Sequence, residues 1–187
     1  MSKKCYYCYG NHLCRNCPIE KDESNIMKKN MGRFIETFVA YNINCLYCNN
    51  KLLVLGTHKP SLDLVCTFCN QLYEVKSKCL SIENLPSDII LKHGSYSKFL
   101  HRLNKGLNLI VIIYGVDRKS KTFNIKEILY APNCIFKNKD IVNITKNKDN
   151  NFSNIFIKDK NLLFNIDFDK KLFMNLHFNQ YDTNYIT

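Results

Sequence analysis

No stretch of this sequence is long and apolar enough to span a bilayer. The best run, residues 107–116, falls far short of the roughly 20 residues that a membrane helix needs. A helical membrane protein is therefore not expected. No apolar segment precedes the first cysteine pair either; Met1-Ser2-Lys3-Lys4 is polar, so a secretory leader is not expected. There is no internal repeat beyond doubled CxxC pairs, and no RNP-like aromatic motif of the common RNA modules. Acidic residues are the minority: 16 Asp and Glu stand against 27 Lys and Arg, a formal charge of +11. That excess favours a polyanionic partner such as DNA, RNA or an anionic surface. A Lys, Asn and Ile bias from an AT-rich coding sequence would produce the same excess, so charge alone decides nothing.

Cysteine, by contrast, is abundant: ten in 187 residues, eight of them in the pairs Cys5/Cys8, Cys14/Cys17, Cys45/Cys48 and Cys66/Cys69. With no leader expected, the compartment is expected to be intracellular and reducing: the cytoplasm, or a nucleus or viral factory if the source is viral. There, paired cysteines read as metal ligands before disulfides. A chain of this length buries a core without staples. Metal then organises local parts.

The sequence predicts two parts. Residues 1–25 form a cysteine-rich head that ends in a polar linker, residues 20–25, and residues 26–187 form the main domain. Phe34, Ile35, Phe38, Val39 and Ile43 recur at spacings of three and four and predict a helix over 27–43. Short strands follow at 62–65 and 72–75. A helix is expected over 86–105, opened by Pro86 and Ser87 and interrupted at Gly94. Residues 107–115 predict a buried central strand, and 123–130 another. Residues 137–160, rich in Lys, Asn and Asp, are expected to include a long exposed loop, and 162–168 resembles a late strand. This order implies an α/β fold, a mixed central sheet flanked by helices.

Cys45-x-x-Cys48, then Cys66-x-x-Cys69 after seventeen residues, matches a four-thiolate structural zinc ribbon at 45–69. Tyr47 and Phe68 occupy the same position inside the two knuckles and are expected to pack the ribbon. Cys5, Cys8, Cys14 and Cys17 make a tighter set, expected to close a second structural zinc site in a head that folds only with metal.

The informative stretch lies beside the second knuckle. Asp63 sits in a short apolar segment, and Glu74 and Lys76 lie two apart on the next one, hence on one face. If the two segments are neighbours, the charges meet. Two carboxylates, helped by a backbone carbonyl such as that of Val75, can hold Mg²⁺. The metal activates water and polarises a phosphate, and the lysine orients that water or stabilises developing charge. Burial of Glu74 beside Asp63 should raise the pKa of one carboxylate. On a later helix, Lys98 and Arg102 lie four apart and face either phosphates or, more simply, solvent.

The run Cys45-x-x-Cys48 … Asp63-Leu64-Val65-Cys66-x-x-Cys69 … Tyr73-Glu74-Val75-Lys76 resembles the catalytic domain of DpnI-type restriction endonucleases, within the PD-(D/E)xK nuclease superfamily. The likeness spans roughly residues 30–165. It implies a restriction-endonuclease-like core with a zinc ribbon threaded between the active-site strands. Asp63 and Glu74 would be the metal ligands and Lys76 the catalytic lysine. The segment Arg33-Phe34-Ile35-Glu36 resembles a preceding helix where many such nucleases carry an acidic residue, which adds Glu36 to the candidate catalytic set. Pro60 lies three residues before Asp63, so the literal Pro-Asp pair is absent. After Lys78 the family's glycine-bearing loop is replaced by Cys79-Leu80-Ser81-Ile82-Glu83. A winged-helix reader is not expected in this chain, so the family's selectivity for methylated GATC is not carried over.

The expected activity is Mg²⁺-dependent hydrolysis of double-stranded DNA. The alternative from another class is a non-catalytic zinc module that binds DNA or protein. Only the first needs Asp63, Glu74 and Lys76 together.

Overall fold

The computed structural model describes residues 32, 34–55, 62–79, 87–117, 122–147, 152–168 and 176–177. The chain divides into two compact units, Met1–Phe34 and Ile35–Thr187, and nearly all described residues belong to the second. The linker at 20–25 and Cys5, Cys8, Cys14 and Cys17 lie outside the described residues. No helix among the described residues is long and apolar enough to cross a membrane.

Helix α1 covers 34–42, within the span the apolar spacing predicts. Ile35, Phe38 and Val39 are buried along one stripe, and Ile43 is buried just beyond its end. The other elements, in chain order, are β1 (Leu52–Val54), β2 (Leu64–Cys66), β3 (Leu72–Cys79), β4 (Ile89–Ser95), α2 (Tyr96–Leu103), β5 (Asn108–Asp117), β6 (Thr122–Ala131), β7 (Val142–Lys146), β8 (Phe152–Ile157), β9 (Phe164–Asn165) and β10 (Leu176–His177). They form a mixed α/β structure with few helices. The main sheet has the order β1-β2-β3-β5-β6-β10, with β9 also on β6, and a second sheet has the order β4-β8-β7.

β5 is the expected central strand. Leu109 through Ile113 are all buried, on both faces of the sheet. Each such side chain contributes about 1.5–3 kcal/mol by leaving water, so this strand anchors the sheet. It runs parallel to β3 and antiparallel to β6. Parallel neighbours cannot be joined by a tight turn and need a crossover. Here β4 and α2 occupy that crossover, and it carries them over one face of β3 and β5. Leu109, Val111 and Ile113 on that face join Ile89, Leu91, Phe99, Ile155 and Ile157 in one core cluster. Gly106, with φ of +86°, makes the turn from α2 into β5 in a conformation that favours glycine.

Three expectations are corrected. The helix expected over 86–105 is strand up to Ser95 and helix only from Tyr96 to Leu103. Ile89, Leu91 and His93 are buried while Ile90, Lys92 and Gly94 are exposed, a period of two that belongs to a strand. Gly94 lies at a register shift between β4 and β8, and the cap is Ser95, whose hydroxyl accepts from the Lys98 N–H, in place of Ser87. The stretch 137–160, expected to include a long exposed loop, is in large part strand, β7 and β8. Ser153, Ile155 and Ile157 face inward, alternating with partly or fully exposed residues. Asn143, Thr145 and Asn154 lie on the outer face, beside Phe152 and Phe156. The late strand expected over 162–168 is reduced to Phe164–Asn165, after a 3-10 turn at Lys160–Leu162.

Candidate active site and thiolate clamp

The two knuckles are built alike. Asn49 N–H donates to the Cys45 carbonyl at 2.8 Å, and Asn70 N–H donates to the Cys66 carbonyl at 2.9 Å. Each asparagine takes a left-handed conformation, φ 56° and 58°, which asparagine tolerates better than most residues. Each turn thus brings its two sulfurs onto one side. The Sγ atoms of Cys45, Cys48, Cys66 and Cys69 all lie within 4.8 Å of one another and can hold a metal ion such as zinc. The thiols are unlike before metal binds. Hydrogen bonding from Asn50 is the main influence holding Cys48 down at about 6, whereas burial pushes Cys69 up to about 12. A coordinated cation removes that difference by ionising every ligand.

Tyr47 and Phe68 do not pack the ribbon interior as expected; they are 57% and 73% exposed. The interior contact comes from Tyr73 on β3, which is fully buried. Its hydroxyl lies 3.1 Å from Cys45 Sγ and accepts from the Leu46 N–H at 3.3 Å. Burial first, and then Cys45, push the Tyr73 pKa upward, so the phenol stays an O–H donor toward the sulfur. Tyr73→Phe is expected to keep the fold but weaken zinc retention by about tenfold or more, because outer hydrogen bonds to metal ligands carry about that much. Competition with a chromophoric chelator checks it, and unchanged retention would refute a role for this hydroxyl.

The clamp sits next to the charged residues by register. Leu64 pairs with Tyr73 and Val65 with Leu72 across β2 and β3. Continuing this register by one residue sets Asp63 opposite Glu74. Directly opposed residues share a face, with Cβ atoms about 4.5–5.5 Å apart. Asp63 Oδ2 accepts from the Val75 N–H at 2.7 Å. In an extended strand a residue's N–H and C=O leave toward the same edge, so the Val75 carbonyl also leaves on the Asp63 side. On β3, Glu74 and Lys76 share the face covered by the crossover, and Lys76 Nζ donates to Glu74 Oε1. Asp63, Glu74, Lys76 and Val75 are therefore brought together. Glu36 lies partly buried on α1.

The crossover adds two residues to this centre. His93 Nε2 on β4 donates to Glu74 Oε1 at 3.1 Å. Arg102 Nη1 on α2 is 3.9 Å from Glu74 Oε2. Its side chain is only 17% exposed, so Arg102 turns inward rather than to solvent. His93 carried no signal along the sequence, because its segment reads as helix. Only the alternation Ile89, Leu91, His93 could have placed it on a buried face.

The two carboxylates differ. Burial raises Asp63 to about 6, and the neighbouring Glu74 charge adds to this, against the lowering effects of Lys76, Val75 and His93. Burial also opposes ionisation of Glu74, but the His93 hydrogen bond and the Lys76 ammonium outweigh it and hold that carboxyl below its usual range. Glu74 Oε2 is buried and accepts no hydrogen bond. A buried, charged carboxylate oxygen without a hydrogen bond, on a residue that stands opposite a second carboxylate, fits a hard divalent cation. An open cleft of about 530 Å³ lies elsewhere, beside the first knuckle, lined by residues 42–49 with Ile166 and Asp167. Asp63 and Glu74 do not line it.

Compared with known proteins, the chain matches the family described as "DpnI: Dam-replacing family" over residues 11–162, most of its length. No curated protein matches it.

Proposed function

This chain belongs to the DpnI, or Dam-replacing, family, and from that premise we propose that it is a Mg²⁺-dependent endonuclease of double-stranded DNA with a PD-(D/E)xK centre. The observation that carries the proposal is the register placing Asp63 opposite Glu74 with Lys76 on the same face. Asp63, Glu74 and the Val75 carbonyl would hold the metal. A divalent cation bound there would polarise the scissile phosphate and lower the pKa of the attacking water. Lys76 would orient that water and stabilise charge developing on the phosphate oxygens. Glu36 is proposed as a further acidic member from the helix that precedes the ribbon. Arg102 would offer its guanidinium to a phosphate as the cation takes its place beside Glu74 Oε2.

The Cys45, Cys48, Cys66 and Cys69 set is proposed as a closed structural zinc site, with Cys5, Cys8, Cys14 and Cys17 as a second one in a separate head, residues 1–25. This use of cysteine suits a reducing intracellular compartment. The main domain, residues 26–187, would be the nuclease, with its mixed sheet as the restriction-endonuclease-like core.

Incubation with methylated and unmethylated plasmid, with and without Mg²⁺, tests the proposal. Nicking or cutting that requires the divalent ion is the expected result. DNA binding with steep salt dependence and no cleavage under any divalent ion would favour the non-catalytic zinc module instead.

A further inference from the structure

The metal ligands and the lysine leave one buried polar side chain of the centre without a task. His93 is 3% exposed, and its Nε2 already donates to Glu74 Oε1 at 3.1 Å. Its other ring nitrogen, Nδ1, is buried and makes no hydrogen bond. The same is true of Ser153 Oγ, on a residue that is 0% exposed. These two orphans are not independent. His93 on β4 is the direct antiparallel partner of Ser153 on β8. Opposed residues hold their Cβ atoms about 4.5–5.5 Å apart on one face. A serine hydroxyl spans that gap to an imidazole nitrogen directly, after rotation, or through one water. Buried polar groups are seldom left unsatisfied, and two adjacent exceptions of complementary kind point to one shared link.

We propose that His93 is a positioning residue for Glu74, anchored from behind by Ser153, so that the β4–β8 pair of the second sheet fixes the carboxylate's orientation in the main sheet. It rests on the metal-site reading above and adds to it where the ligand's orientation comes from. Glu74 is the residue that needs such support. Lys76 Nζ and His93 Nε2 both hold Oε1, and Oε2 is left for the cation. Lys76 shares a strand with Glu74, hangs on a flexible stem and is 23% exposed on its side chain. His93 is the rigid donor, because its ring is held in the core against Phe99, with centroids 4.4 Å apart. Without it, the carboxylate is free to turn about its last torsion, and the cation loses a preset ligand. An outer hydrogen bond of this kind typically carries 10–100-fold in metal affinity.

The test measures Mn²⁺ binding to the full-length, zinc-loaded protein by the loss of the free-ion electron paramagnetic resonance signal, with DNA cleavage read in parallel. His93→Leu fills the site without a donor and is expected to weaken Mn²⁺ binding about 10–100-fold. His93→Gln places an amide N–H where Nε2 stands and is expected to restore binding to within a few-fold of wild type. His93→Asn places its amide near the Nδ1 position and is expected to restore little. Ser153→Ala should weaken binding less than His93→Leu, and should add nothing in that background. Zinc content and thermal unfolding report whether each variant is folded. A His93→Leu protein that binds Mn²⁺ like wild type, or a His93→Gln protein as weak as His93→Leu, overturns the positioning role and leaves the metal site standing. Absence of Mn²⁺ binding in the wild type overturns the metal site and this inference with it.

Discussion

Asp63→Asn is expected to abolish DNA cleavage, by about a thousandfold or more, while making the metal-free protein more stable at neutral pH. The activity loss would follow from removing one of the two proposed anionic ligands, since units that act together fail together. The stability gain follows from the environment. Burial, with Glu74 opposite, raises the Asp63 pKa to about 6 from its ordinary 3.8. The folded protein therefore holds a proton that the unfolded chain releases between those values. Stability falls as pH rises through that window, and above about 6 the ionised carboxylate is a standing cost. An amide removes the cost and still accepts the Val75 N–H. Glu74→Gln is expected to lose cleavage equally but to destabilise. That carboxyl is held below its usual range by His93 and Lys76, so its contribution is present at neutral pH and fades on acidification. Lys76→Ala should also abolish cutting. Thermal unfolding from pH 4 to 8, beside a plasmid-nicking assay, separates these cases. An Asp63→Asn protein that still cuts at the wild-type rate would end the assignment. At the proposed site a bound metal would displace the Asp63 proton, so Mg²⁺ affinity should climb with pH up to about 6 and then level.

Loss of the thiolate clamp is expected to be as severe, though its proposed role is structural. Cys66→Ser should release one zinc per chain, melt the β1–β2 ribbon and abolish cutting. Apparent binding energies of about 10–16 kcal/mol in small zinc domains exceed what three-residue strands recover by packing. The connection is short: Asp63 lies three residues before Cys66, and Glu74 five after Cys69. Opening the clamp therefore frees the register that sets one carboxylate against the other. Zinc content by atomic emission and amide exchange over β1 and β2 would follow the change. Full cleavage by a Cys66→Ser protein that has lost a zinc would show that the clamp does not hold the centre.

The most legible features were those carried by local chemistry. Two CxxC pairs at matched spacing announced a metal cluster, because two thiols separated by two residues turn onto one ion almost regardless of context. The unbroken β-branched run of β5 announced a central strand. Glu74 and Lys76 announced a shared face, because strand geometry alternates. Segments whose neighbours lie far along the chain were misread. Residues 89–95 carry apolar positions that suit a helix or a strand over so short a span, and pairing with β8 decided the matter. Residues 137–160 were expected to include a loop because the stretch is rich in lysine, asparagine and aspartate, and the few inward-facing apolar residues, Val142, Ile155 and Ile157, gained their partners only through strand pairing. Tyr47 and Phe68 looked like ribbon filling, yet Tyr73, from the next strand, takes that place.

The sequence alone thus determined which residues could bind metal and which could share a strand face, since spacing and backbone geometry act over a few residues. Only the tertiary structure decided that Asp63 stands opposite Glu74, and that His93 and Arg102 close over them. The first meeting depends on the antiparallel register of β2 and β3, and the second on a crossover between the parallel strands β3 and β5; no local rule states where a chain returns after leaving its sheet.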